Sequence, residues 1–178
     1  MPIGSVDQEI LNYLAERIFH NLGLSCKISP AKNIPIHAYN KSRLQYNSKL
    51  ILKDLQYHCS NEMAALIAIT EVDLYVPILK YVFGLSQIEG KCSVISLHRL
   101  NPQFYTQPFN KLTLLERAEK TALHEIGHSF GLTHCRNRQC VMYSSYNVED
   151  TDFKESRFCS TCFELLRWHV DRISCPNP

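Results

Sequence analysis

Apolar side chains recur every fourth position from Ile10 through Leu14 and Ile18 to Leu22, with Leu11 and Phe19 beside them. That spacing predicts an amphipathic helix over residues 5–22, closed by Gly23. Leu24-Ser25-Cys26-Lys27-Ile28-Ser29 alternates with a period of two, which predicts a strand ended by Pro30. Residues 34–38 read as a second short extended piece. Between Ser48 and Tyr57, Ile51, Leu52 and Leu55 fit a short helix. The run Ala64-Ala65-Leu66-Ile67-Ala68-Ile69-Thr70 is apolar almost throughout, as a strand covered on both faces would be, although periodicity alone also allows a helix. Val82, Phe83, Leu85 and Ile88 lead into Glu89-Gly90, and Val94, Ile95 and Leu97 follow, so residues 81–98 read as a hairpin-like extended region near a sheet edge. Thr113-Leu114-Leu115-Glu116 has the form of a capping box and predicts a long helix running to about Gly131. Thr161-Cys162-Phe163-Glu164 has the same form, and Phe163, Leu166, Val170 and Ile173 make one helical stripe behind it. Strands alternate with helices first and helices dominate later. The class this pattern predicts is α/β or α+β, with a mixed sheet.

A chain of 178 residues is one ordinary domain in length. With 45% hydrophobic and 20% charged residues it can bury a sizeable core, which argues against disorder and coiled coil. The formal net charge is only +2 and the basic residues are scattered, so no nucleic acid or membrane surface is expected as a partner. No window approaches the apolar length of a membrane span. Residues Met1 to Glu9 lack the basic, apolar and small-residue order of a secretory signal, so the expected location is cytoplasmic. Eight cysteines in that setting favour metal ligation over a disulfide framework.

The chemistry concentrates in His124-Glu125-Ile126-Gly127-His128-Ser129-Phe130-Gly131-Leu132-Thr133-His134. On a helix His124 and His128 lie about 40° apart around the axis and roughly 6 Å along it, so both imidazoles reach one ion. Glu125, about 100° further round, flanks the ion and is placed to accept a proton from a bound water. A glycine at position 131 stops the helix and lets the chain return His134 from a new direction. Three protein ligands leave a position open for water, the mark of a catalytic zinc. Two histidines at helical spacing are often just partly buried residues, but the glycine and third histidine at fixed offsets make chance a poor explanation. Downstream, Cys135 and Cys140, then Cys159 and Cys162, form two pairs that suit a closed tetrahedral zinc site. Reduced core thiols or disulfides are the competing reading of these four. Cys26, Cys59, Cys92 and Cys175 read as ordinary thiols, and Met142 by itself as a core methionine.

The extended histidine motif resembles the metzincin clan of metallopeptidases. With Cys135, Cys140, Val141, Met142, Cys159 and Cys162 behind it, the stretch 124–162 is similar to the archaemetzincin (archaelysin) family in particular. A weaker similarity runs through residues 68–75 and 94–100. The resemblance implies a zincin-like fold: a twisted mixed sheet with an antiparallel edge strand above an active-site helix, and a C-terminal helix tied by a zinc site. It implies one domain over residues 1–178, with an upper subdomain spanning residues 1–131 and a lower subdomain spanning residues 132–178. It also implies that Met142 turns beneath a catalytic zinc held by His124, His128 and His134, and that the four cysteines bind a second, structural zinc. The expected activity is peptide-bond hydrolysis by a zinc-activated water with Glu125 as general base. The expected partner is a peptide or protein substrate, met by a monomer. Tyr143 follows the methionine immediately, whereas some metzincins carry a tyrosine one residue later, so it is given no catalytic role. The competing reading is a non-catalytic zinc module that recognises peptides on the same fold. A zinc-knuckle nucleic-acid binder is weaker, because only Arg136 and Arg138 lie within the first cysteine pair.

Overall fold

The structure, a computed structural model, describes residues 1–60 and 62–174 of the chain. Its elements in order are β1 (Pro2–Ile3), α1 (Gln8–Leu22), β2 (Tyr39–Asn40), β3 (Gln45–Asn47), α2 (Ser48–Leu55), β4 (Leu66–Thr70), β5 (Leu74–Tyr75), β6 (Gly84–Ser86), β7 (Cys92–Ser96), α3 (Lys111–Ser129), α4 (Val148–Phe153) and α5 (Ser160–Ser174). The main sheet has the order β1-β4-β7-β6. Its first three strands are parallel, and β6 closes the edge antiparallel to β7. A smaller sheet, β2-β3-β5, lies alongside. The class is α+β with a mixed sheet, one of the two classes that the sequence pattern allows.

The apolar run at 64–70 becomes a central strand because both of its faces are covered. Leu66 and Ala68 turn toward Ile51, Leu52 and Leu55 of α2. Ile67 and Ile69 turn toward Ile10, Leu11 and Leu14 of α1 and Ala118 and Ala122 of α3. Such double burial removes the polar alternation that usually marks a strand. β7 obeys the same period, with Cys92 and Val94 toward α2 and Ile95 toward α3. Its Ser93 shares the α3 face and is 1% exposed, a buried hydroxyl in an otherwise apolar layer. A third cluster under the C-terminal end of α3 joins Leu123, Ile126, Phe130, Leu132, Val141 and Met142 to Leu166 of α5.

Several boundaries differ from the sequence expectation. No strand forms at 24–29. The place beside β4 is taken by the N-terminal residues, whose pairs Pro2↔Ile69 and Ile3↔Thr70 run parallel. From the segment after α1, the Lys32 main chain bonds to them, accepting from the Gly4 amide and donating to the Pro2 carbonyl. A two-residue strand leaves no periodic signature to read. Within 34–38, Ile36–Ala38 is a 3-10 turn that buries Ala38 and leaves Ile36 exposed. α3 begins before the expected box, because the Asn110 side chain accepts from the Thr113 amide at 3.1 Å and caps the helix itself. Thr161 likewise lies inside α5, whose first turn includes Ser160. Phe163 is 40% exposed, so the buried stripe of α5 is carried by Leu166 with Val170. The side chain of Ile173 and all of Cys175 lie outside the described residues. No helix among the described residues is long and apolar enough to cross a membrane.

Two ionic ties set the placement of α3. Glu119, 3% exposed, accepts from Tyr13 Oη at 2.7 Å and Arg17 Nε at 2.9 Å on α1. Arg117 donates twice to the Asp152 carboxylate at 2.7 Å and once to the Leu100 carbonyl, fixing α3 to α4. Glu119→Ala strands the tyrosine hydroxyl and the guanidinium, and we expect a loss of about 2–3 kcal/mol in unfolding free energy. A urea midpoint equal to that of the parent would contradict this account.

Candidate active site

α3 runs beneath the sheet edge and ends at Ser129, and Gly131 reverses the chain at φ 85°. His124, His128 and His134 converge there, with one ligand nitrogen from each lying within 4.8 Å of the others. Their tautomers follow from their partners. His124 Nδ1 lies 2.8 Å from the Val141 carbonyl, and His128 Nδ1 lies 2.7 Å from the Leu132 carbonyl. A carbonyl only accepts, so each Nδ1 carries its hydrogen and each neutral ring presents an unprotonated Nε2. Those two Nε2 atoms face each other at 3.1 Å. Two lone pairs at that distance repel unless a cation sits between them. Nitrogens at ~2.0–2.1 Å from a tetrahedral zinc would be about 3.3 Å apart, so the spacing fits the metal. Burial depresses the proton affinity of all three rings, with the Lys154 ammonium adding to it, and keeps them neutral as ligands must be.

The turn that follows the histidines is held from below. Met142 is fully buried, and a Cβ at position 127 would lie 2.4 Å from its sulfur. Only a glycine on that face of α3 lets the methionine turn pack directly under the two histidines. The Leu132 amide donates to the Gly127 carbonyl, and the Cys135 amide donates to the Met142 carbonyl. The segment carrying His134 is thus bound at both ends.

Glu125 is 6% exposed, and burial pushes its carboxyl up to about 7 against the opposing pull of Ser86 and Lys154. The cleft in front of these groups has a volume of about 470 Å³. Leu79, Tyr81, Leu85, Ile88 and Tyr146 give it apolar walls, while Lys154 is its buried cation.

The sulfurs of Cys135, Cys140, Cys159 and Cys162 form a separate group, all within 4.8 Å of one another. Cys135 Sγ and Cys159 Sγ are 3.8 Å apart, far beyond a disulfide bond. Thiolates at ~2.3 Å from a tetrahedral zinc lie about 3.8 Å apart, so this group fits a metal as well. The amides of Asn137 and Cys159 donate to the sulfurs of Cys135 and Cys140. Among the remaining cysteines, Cys26 is exposed and Cys92 is buried.

The model of peptidase family M54 matches residues 5–168. The chain belongs to this family, the archaemetzincins. It is a metzincin-type zinc metallopeptidase, and its substrates are peptides. The archaemetzincin of Methanocaldococcus jannaschii is 45% identical over 166 residues, 93% of this chain and 90% of that one. The crystal structure of the Methanopyrus kandleri archaemetzincin superposes with a TM-score of 0.81 at 33% identity, covering 97% of this chain and 96% of that one. A zinc-dependent peptidase from Methanocorpusculum labreanum aligns with a TM-score of 0.79 at 27% identity, covering 93% and 97%.

Two residues of this archaemetzincin site escape the sequence reading. Lys154 Nζ donates to the Tyr143 carbonyl at 3.1 Å and sits 3.4 Å from His124 Nδ1. Burial pulls its ammonium down to about 8, although Glu125 opposes the shift. Ser86, on β6, touches Glu125. Nothing in Phe153-Lys154-Glu155 or Leu85-Ser86-Gln87 marks either residue, because lysines and serines are ordinary in loops and at edges.

Removing the Lys154 charge should ease protonation of the neighbouring rings. Histidines with depressed proton affinity in the fold lose stability as pH falls below their unfolded value, since the unfolded chain then binds more protons. In metal-free protein, acidification from about pH 7.5 to 5.5 should therefore cost the parent more than Lys154→Met. Denaturation midpoints at the two pH values give the comparison, and equal losses would show that the lysine does not govern these rings.

Proposed function

We propose that the chain is a zinc endopeptidase in which His124, His128 and His134 hold the catalytic ion and Glu125 is the general base. The observation that carries this reading is the pair of Nε2 lone pairs facing each other at 3.1 Å, each ring locked by a carbonyl behind it. The three imidazoles would hold a zinc ion whose chemistry there would be to lower the pKa of a bound water and to polarise the scissile carbonyl. Glu125 takes the proton and later delivers it to the leaving amine, and its upward-shifted carboxyl suits both directions of transfer near neutral pH. A relict, purely binding site would have no use for a buried carboxyl beside the histidines.

The substrate lies extended along the free edge of β6. Phe83 accepts from the Ser96 amide and the Gln87 amide donates to Cys92, so odd-numbered residues of this strand bond to β7. The main-chain groups of Gly84 and Ser86 therefore point to the open side, where a peptide strand can pair with them. The cleft lies between an upper subdomain, which contributes Leu79 to His128 of its lining, and a lower one, which contributes His134 and Ser144 to Lys154. The apolar lining favours hydrophobic side chains next to the scissile bond.

The four cysteines hold a second zinc with a structural task. It clamps the segment behind His134 to the start of α5, since Cys135 and Cys140 lie on one and Cys159 and Cys162 on the other.

Metal analysis of the purified protein should find two zinc ions per chain, falling to one in Cys140→Ser with a lower unfolding temperature. A parent that holds a single ion removes the structural site from this reading. Glu125→Gln should retain the parent's zinc while peptide-library cleavage drops by at least about three orders of magnitude. Cleavage at the parent rate would refute the assigned base.

A further inference from the structure

We propose that Ser86 is a positioning residue for the reaction, the last member of a three-hydroxyl chain that fixes the Glu125 carboxylate. The inference rests on Glu125 acting as the base.

Three serines from three elements meet behind that carboxyl. Ser129 of α3 and Ser93 of β7 have their hydroxyl oxygens 2.6 Å apart. Ser86 Oγ lies 2.9 Å from Ser93 Oγ and 2.5 Å from Glu125 Oε2. All three hydroxyls also lie within 2.8–3.4 Å of the Glu125 carbonyl. Ser93 and Ser129 are almost fully buried. Each hydroxyl has one hydrogen, and the carboxylate oxygen can only accept. Of the three, Ser86 is the one that reaches the side chain of Glu125: its single hydrogen has the carboxylate Oε2, the Glu125 carbonyl and Ser93 Oγ within reach as acceptors, and the shortest of these contacts is the one to Oε2.

The same strand makes room for the carboxylate. A Cβ at Gly84 would meet Glu125 Oε1 and Cγ at 2.6 Å. Without that carbon the Glu125 side chain packs directly against β6, with Oε2 held by Ser86. Gly84 and Ser86 thereby act in two directions at once. Their main chains face the substrate edge, while their Cα faces and the Ser86 hydroxyl hold the base. Pairing of a peptide with β6 and orientation of Glu125 are properties of one three-residue segment.

A residue that only orients the base should change kcat and leave ground-state binding alone. The zinc-loaded variants Ser86→Ala and Ser86→Thr are compared with the parent for kcat, KM, zinc content and crystal structure. For Ser86→Ala we expect kcat to fall about tenfold or more, with KM within about twofold and zinc content unchanged. Its Glu125 side chain should leave the position it holds against β6. Ser86→Thr, which keeps a hydroxyl, should recover most of the loss. Ser86→Cys keeps the volume without a strong donor and replaces the alanine variant if that one does not fold; it should lose kcat in the same way. Parent-like kcat without the hydroxyl, or an unmoved Glu125 in the variant crystal, overturns the proposal. If Ser86→Ala is fully active while Glu125→Gln is inactive, the serine chain alone is wrong. If Glu125→Gln is active, the assignment of the base falls first.

Discussion

The hydrogen bonds from the two helical imidazoles to main-chain carbonyls are the constraint on which the site depends. Without the Val141 and Leu132 carbonyls, either ring could turn, change tautomer and present N–H instead of a lone pair. Those carbonyls are in place only because the chain reverses after α3 and returns under it. That return in turn requires a residue without a side chain at position 127, where Met142 makes contact with the helix backbone. The geometry of the imidazoles is therefore a product of packing one turn below them, and packing tolerates little change of volume.

The electrostatics point the same way. Neutral imidazoles, a buried carboxyl and a buried ammonium share one small space, each with its proton affinity shifted mainly by burial. Glu125 and Lys154 are shifted toward each other's range, so either can be charged or neutral near pH 7 at modest cost. Structural ion pairs elsewhere in the chain behave differently. Arg99 chelates Asp73 with two bonds of 2.7 Å, and these together with Gln45 outweigh burial and hold that carboxyl below its ordinary value. The contrast separates groups arranged to hold a charge from groups arranged to exchange one.

How much of this was legible depended on whether a feature is local in the chain. The His124 to His134 motif encodes its own helix, its stop and its return, so the convergence of the three imidazoles could be read directly. The burial of β4 on both faces was also legible, because an apolar run survives any register. What failed was relational. The alternation at 24–29 satisfies a strand, yet the neighbouring place was already filled by Pro2 and Ile3. Thr113 satisfies a capping box, yet Asn110 caps one turn earlier. Lys154 and Ser86 owe their importance entirely to residues 30 and 39 positions away, and no window along the chain contains both members of such a pair.

The sulfur cluster borders the chain segment that supplies both the third imidazole and the carbonyl behind the first, since Cys135 follows His134 and Cys140 precedes Val141. Four thiols within 4.8 Å are close enough to couple under an oxidant, but only by drawing two sulfurs to bonding distance and pulling this segment with them. The parts that orient the imidazoles are thus moored from a point outside the cleft, and whatever holds the four sulfurs together steadies the site at a distance.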